Sequence, residues 1–197
     1  MANVFAVHSV CNSLAISLAN SYPEPLRTDH PCSFRVLSSG ELAAKGEIDN
    51  TLGIYLYRVT FNEHLRNTER ARDLRTLTPL ALDLHFLITA WAGSALVEHT
   101  IFTWAVRQLY LHPTLTASSL SPEAGWALDD VIQVLPAEMS TEDLMRVWDA
   151  LDPAYRLSMP FTARIVRVDP DALPDAAPVV ATRFHYGRKP TLAGGAQ

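Results

Sequence analysis

The sequence predicts an α/β (α+β) fold: a mixed, largely antiparallel sheet with helices mainly on one face. Three observations lead there. Pro79–Trp91 (PLALDLHFLITAW) alternates with period two, as a strand does when one face is packed and the other is more polar. Two further alternating runs, Leu52–Phe61 and Ala154–Asp169, supply strands to pair with it. Ser94 and Ser140 each precede apolar residues at helical spacing, where N-caps stand.

The elements follow in chain order. Ala2–Asn20 places Val4, Phe5, His8, Cys11, Leu14, Ala15 and Leu18 near helical spacing, with His8 read as an interface histidine. Pro23, Pro25 and Pro31 break regular structure, and the stretch to Asn50 yields only a short strand at Ser33–Leu37. In Leu52–Phe61, Tyr55, Tyr57, Val59 and Phe61 alternate with Ile54, Leu56, Arg58 and Thr60. Asn62–Thr78 reads as a polar loop. In Pro79–Trp91, Leu80, Leu82, Leu84, Phe86 and Ile88 share one face, and Ala81, Asp83, His85, Leu87 and Thr89 share the other. The helix after Ser94 buries Val97, Ile101, Phe102, Ala105, Val106 and Leu109 and stops at Pro113. Thr114–Asp130 reads as a loop and Val131–Leu135 as a short strand. The helix after Ser140 carries Leu144, Val147, Trp148 and Leu151 on its core stripe, with Asp143 approximating a capping box. In Ala154–Asp169, Tyr155, Leu157, Met159, Phe161 and Ile165 face one way and Arg156, Ser158, Thr162 and Arg164 the other. Pro160 cannot donate to a ladder, so that strand is expected to be an edge or bulged there. Residues 170–197 read as a Pro/Ala-rich extension, with one more short strand at Val179–His185.

Composition narrows the function. At 197 residues, 48% apolar and 19% charged, the chain reads as one globular domain with an appendage. A formal net charge of −5 argues against a general nucleic-acid binder. Cys11 and Cys32 stand alone without metal-ligand spacing, which reads as two ordinary thiols in a reducing compartment, the cytoplasm at synthesis. Neither a secretory signal nor a long apolar run is present, so no membrane partner is expected.

Chemistry-bearing motifs are few. GxGxxG, GxxxxGK(S/T) and GxSxG are absent, and no catalytic residue, cofactor or metal site is assigned. Asp83 and His85 share a strand face, which Arg58, Thr162 and Arg164 join if the strands pair as expected. They fit a polar sheet face or subunit contact; the rival is a metal-dependent enzyme using Asp83/His85, with His99 as a further ligand. Arg66, Arg70, Arg72 and Arg75 crowd the loop Asn62–Thr78 and suit an acidic protein partner. A second rival uses that loop in a nucleic-acid-contacting head–tail connector.

Several pieces in order carry a resemblance. Leu56 to Asn67 (LYRVTFNEHLRN), PLALDLHFLITAW, a helix running into LHPTL, LMRVWDAL and YRLSMPFTARIVRVD together resemble the cap or tail-terminator proteins of extracellular contractile injection systems. These are the antifeeding-prophage and virulence-cassette type assemblies, related to contractile phage tails. The resemblance covers most of Ala2–Asp169 and implies a tail-terminator-like cap domain over residues 1–169. It implies a homo-oligomeric ring, a hexamer, seated on sheath and inner-tube subunits at the end distal to the baseplate. It also implies incorporation into a phage-tail-like particle and a structural protein rather than an enzyme. Arg66, Arg70, Arg72, Arg75, Asp83, His85 and Arg164 are the residues expected at partner contacts.

Overall fold

The computed structural model describes residues 2–43, 50–62, 79–151 and 154–169. Five α-helices and six strands lie among the described residues: α1 (Ala6–Ser21), α2 (Glu24–Asp29), β1 (Ser33–Leu37), α3 (Ser39–Ala43), β2 (Thr51–Phe61), β3 (Leu80–Trp91), α4 (Ala95–Leu111), β4 (Thr114–Thr116), β5 (Val131–Pro136), α5 (Thr141–Asp149) and β6 (Ser158–Val168). The strands form one sheet in the order β1-β2-β3-β6-β5-β4. Only β1 and β2 run parallel; the other neighbours are antiparallel. This is the mixed, largely antiparallel sheet that the alternating runs predict, and β3 lies inside it.

One face is built by burial. Leu82, Leu84, Phe86, Ile88 and Ala90 of β3 join Leu52 and Ile54 of β2 and Phe161, Ala163 and Val166 of β6. The long helices α1 and α4 cover them with Val10, Leu14, Leu18, Ile101, Trp104, Ala105 and Leu109. Phe86 and Phe161 stack at 6.1 Å between centroids, both fully buried. Each such side chain contributes about 1.5–3 kcal/mol of transfer free energy. Tyr22, Phe34 and Trp104 pack edge-to-face and tie the end of α1 to β1 and α4.

The caps act as expected. Ser94 Oγ accepts from Val97 N at 3.4 Å. Ser140 Oγ accepts from Asp143 N at 3.1 Å and donates to the Asp143 carboxylate at 2.7 Å. α5 lies over the other sheet face, where Trp148 and Leu151 pack with Leu37, Leu42 and Trp91.

Several expectations are corrected. Of the stripe expected for α1, Cys11, Leu14, Ala15 and Leu18 are buried, joined by Ala6, Ser9, Val10 and Ser13, while Val4, Phe5 and His8 are exposed. Two serines conceal this stripe from a hydropathy reading. Ser13 Oγ donates to Ser9 O at 2.6 Å, and Ser9 Oγ receives Trp126 Nε1–H at 2.8 Å. The expected loop Thr114–Asp130 contains β4 and a 3-10 turn at Pro122–Ala124, and the Pro-broken stretch contains α2 and α3. At Pro160 the ladder with β5 has ended, its last pair being Pro136↔Phe161. Pro160 O instead accepts from Ala137 N at 3.0 Å. Cys11 is buried and Cys32 half-buried; both are free thiols that burial pushes up to about 11. The proposed strand Val179–His185 lies outside the described residues.

Candidate functional site

The polar face of β3 is shaped by irregular pairing on both sides. Against β2, Leu56 faces Phe86 and Arg58 faces His85, so Tyr57 is an extra residue. Against β6, Ala163 faces Leu84 and Val166 faces Leu82, leaving Arg164 and Ile165 opposite Asp83 alone. A bulge of this kind reverses the phase of alternation beyond it. It sends Arg58 and Thr60 to the polar face and Val59 to the apolar one, breaking the grouping expected for Leu52–Phe61. On β6 it places Val166 in the core, whereas Ile165, expected there, is exposed.

Two polar rows cross the sheet, the first of them hydrogen-bonded through three strands. In one, Thr60 Oγ1 lies 2.8 Å from His85 Nε2, and Thr162 Oγ1 lies 3.1 Å from His85 Nδ1. Both ring nitrogens are therefore engaged. In the other, Asn62 Nδ2 donates to the two Asp83 carboxylate oxygens at 3.1 and 3.2 Å, and Arg164 Nε stands 3.8 Å away. Desolvation holds the His85 pKa below the ordinary histidine value; Arg58 and Arg164 push the same way, and Asp83 opposes them. This favours the neutral imidazole, in which one nitrogen donates and the other accepts.

The expected residues separate into two groups. Asp83, His85 and Arg164 are brought together, with Arg58 and Thr162 beside them. Arg66, Arg70, Arg72 and Arg75 lie outside the described residues. His99 belongs to α4, whose buried side packs on the apolar face, so the sheet separates it from His85. Among the described residues no three of His, Cys, Asp and Glu converge on a common point. With His85 held at both nitrogens and Asp83 at both oxygens, the pair is built as cross-strand structure rather than as an open ligand set.

Residues that sequence reasoning missed complete the site. Thr60 and Asn62 satisfy the pair, and the opposite wall of a groove is formed by Glu138, Met139, Asp143, Arg146 and Val147. The capping box signals the start of α5 in the sequence but says nothing of the sheet face it overhangs. A second cluster occupies the far end of this face. Trp91 Nε1 donates to Thr89 Oγ1 at 3.0 Å, and the Arg156 guanidinium lies 4.9 Å from the Trp91 ring centre.

Two solved structures share this architecture. The sheath/tube terminator of the PVC extracellular contractile injection system, in its extended state, matches at a TM-score of 0.58 and 18% identity over 97% of this chain. The tube-terminating cap of the anti-feeding prophage matches at a TM-score of 0.51 and 13% identity over 87% of this chain. The chain spans 65% and 61% of those two chains, less than two thirds of either. No curated protein matches it. Residues 9–182 match the family described as the Pvc16 N-terminal domain. The ordered segments and the fold they build thus converge, and this chain belongs to the Pvc16 N-terminal domain family.

Proposed function

We propose that this chain is a terminator subunit of a contractile injection system, a structural protein that closes the sheath and inner tube at the end distal to the baseplate. The observation that carries the reading is the family match across residues 9–182 on a fold shared with two terminator structures. In this reading the chain forms a hexameric ring by a head-to-tail interface repeated by rotation, and it joins sheath and tube subunits. Residues 1–169 form the cap domain, and 170–197 serve as an arm. Arg66, Arg70, Arg72, Arg75 and Arg164 face acidic partners, while Asp83 and His85 hold the sheet face behind Arg164. The mature location is the released particle, reached after synthesis in the cytoplasm.

The test is assembly. Particles formed from sheath and tube subunits with the chain present should have one closed end and a narrow length distribution by negative-stain microscopy. Particles formed without it should have ragged ends and variable lengths. Identical ends and lengths in the two preparations would overturn the proposal. Native mass spectrometry of the chain bound to tube subunits should show six copies.

A further inference from the structure

β2 is covered on one side for only part of its length. β3 pairs with it from Thr51 to Phe61, but β1 pairs with it only from Ser33↔Thr51 to Leu37↔Tyr55. Leu56–Phe61 therefore has a strand on its β3 side and, among the described residues, none on the other. The same stretch leaves apolar side chains in water. Val59 stands beside Leu84 and Phe61 beside Leu82, on the face that α1 and α4 cover. Leu84 and Leu82 are buried, whereas Val59 is 44% and Phe61 60% exposed. An open strand edge with apolar residues on its core side is a template for one more strand.

The sequence outside the described residues distinguishes the segments that reach this edge. Residues 63–78 carry Leu65, Ala71, Leu74 and Leu77 among many charges, with no alternating apolar run. Val179–His185 (VVATRFH) has the β-branched and aromatic residues of a strand, and alternation puts Val180, Thr182 and Phe184 on one side. The family match runs into this segment, to residue 182. Its route is short. Val168 pairs with Leu80, so β6 finishes at the end of the sheet where β2 reaches Phe61. From there a position outside β2 is three strand spacings away, about 14 Å. Residues 170–178 span up to ~30 Å when extended. A chain returning from that end runs antiparallel to β2 and has the length of Leu56–Phe61 before it meets β1.

We propose that Val179–His185 adds to the open edge of β2 in its own chain as a seventh strand. Val180 and Phe184 then lie against Val59 and Phe61, and main-chain hydrogen bonds hold the pair. The proposal stands independently of the terminator reading and leaves residues 186–197 as the projecting part of the arm.

Deuterium exchange of the full chain, counted by mass spectrometry, tests it. Pairing with β3 alone slows alternate amides of Leu56–Phe61; the added strand slows the outward set and those of Val179–His185 as well. Both should exchange at least about tenfold more slowly than in an unstructured peptide. Thr182→Pro removes a ladder donor, so both should speed up while Thr51–Tyr55 stays protected. Thr182→Val should keep the protection. Exchange of Val179–His185 at peptide rates in the wild type would overturn the proposal. Outward amides of Leu56–Phe61 that stay slow in Thr182→Pro would do the same, giving the edge to residues 63–78. Protection that appears only as the chain concentration rises would also overturn it, by assigning the edge to a second copy.

Discussion

The two faces of β3 solve the same problem by opposite means. Toward α1 and α4, Leu84, Phe86 and Ile88 are fully buried and need no partner beyond close packing. On the other face, the side chain of Asp83 is 13% exposed, and with His85 it depends on hydrogen bonds from β2 and β6. Burial is tolerant of detail, since any apolar residue of about the right size contributes. A polar row is not. It fixes which residue of β2 and which of β6 lie beside His85, and a slip of one residue would leave buried polar atoms without partners. The apolar face supplies stability, and the polar face supplies register.

Four experiments bear on this contrast, beginning with the largest expected effect. Phe86→Ala should cost about 3–5 kcal/mol in urea unfolding, because it removes a fully buried ring and its stack with Phe161. A cost below that of any polar-face substitution would invert the assignment of roles. Asp83→Ala should cost about 1–3 kcal/mol by removing the carboxylate that accepts from the Asn62 amide and faces Arg164. No measurable loss would detach the row from stability.

The third is a pH dependence. The pKa of His85 is lowered in the fold, chiefly by desolvation. Between the unfolded value of about 6.5 and the lower folded value, the unfolded chain holds more protons. Stability contributed by the neutral imidazole is therefore present above pH 6.5 and lost as pH falls. Unfolding curves from pH 7.5 to 5 should decline more steeply for the wild type than for His85→Gln. Parallel curves would show that the ring titrates alike in both states. The smallest effect is expected at Trp148, whose buried Nε1 has no hydrogen-bond partner among the described residues. Trp148→Phe removes that unsatisfied donor while keeping an aromatic ring against Trp91, so stability should change by less than about 1 kcal/mol.

What could be read from the sequence divides along similar lines. β3 was legible because its two faces differ so sharply in hydropathy, and α4 and α5 because Ser94 and Ser140 announce them. The stripe of α1 was legible at Cys11, Leu14, Ala15 and Leu18 but not at Ser9 and Ser13, which are buried through hydrogen bonds to residues more than a hundred positions away. β4 has three residues and exists only by pairing with β5, so no local pattern marks it. Asp83, His85, Arg58, Thr162 and Arg164 were grouped correctly as a polar face. The bulges that put Arg58 and Arg164 there have no signature in the sequence, and Asn62 lies just past the end of β2, where no strand pattern points to it.

The Ala2–Val168 bridge joins the two extremes of the described chain, with Ala2 N donating to Arg167 O and Asp169 N to Ala2 O. β6, late in sequence, also fills the gap between β3 and β5. During synthesis on the ribosome, then, β3 and β5 wait with unpaired edges until residue 168 has emerged. Such long-range closure slows folding and exposes edges to neighbouring chains. The interval before β6 arrives is thus when this fold is most open to mispairing.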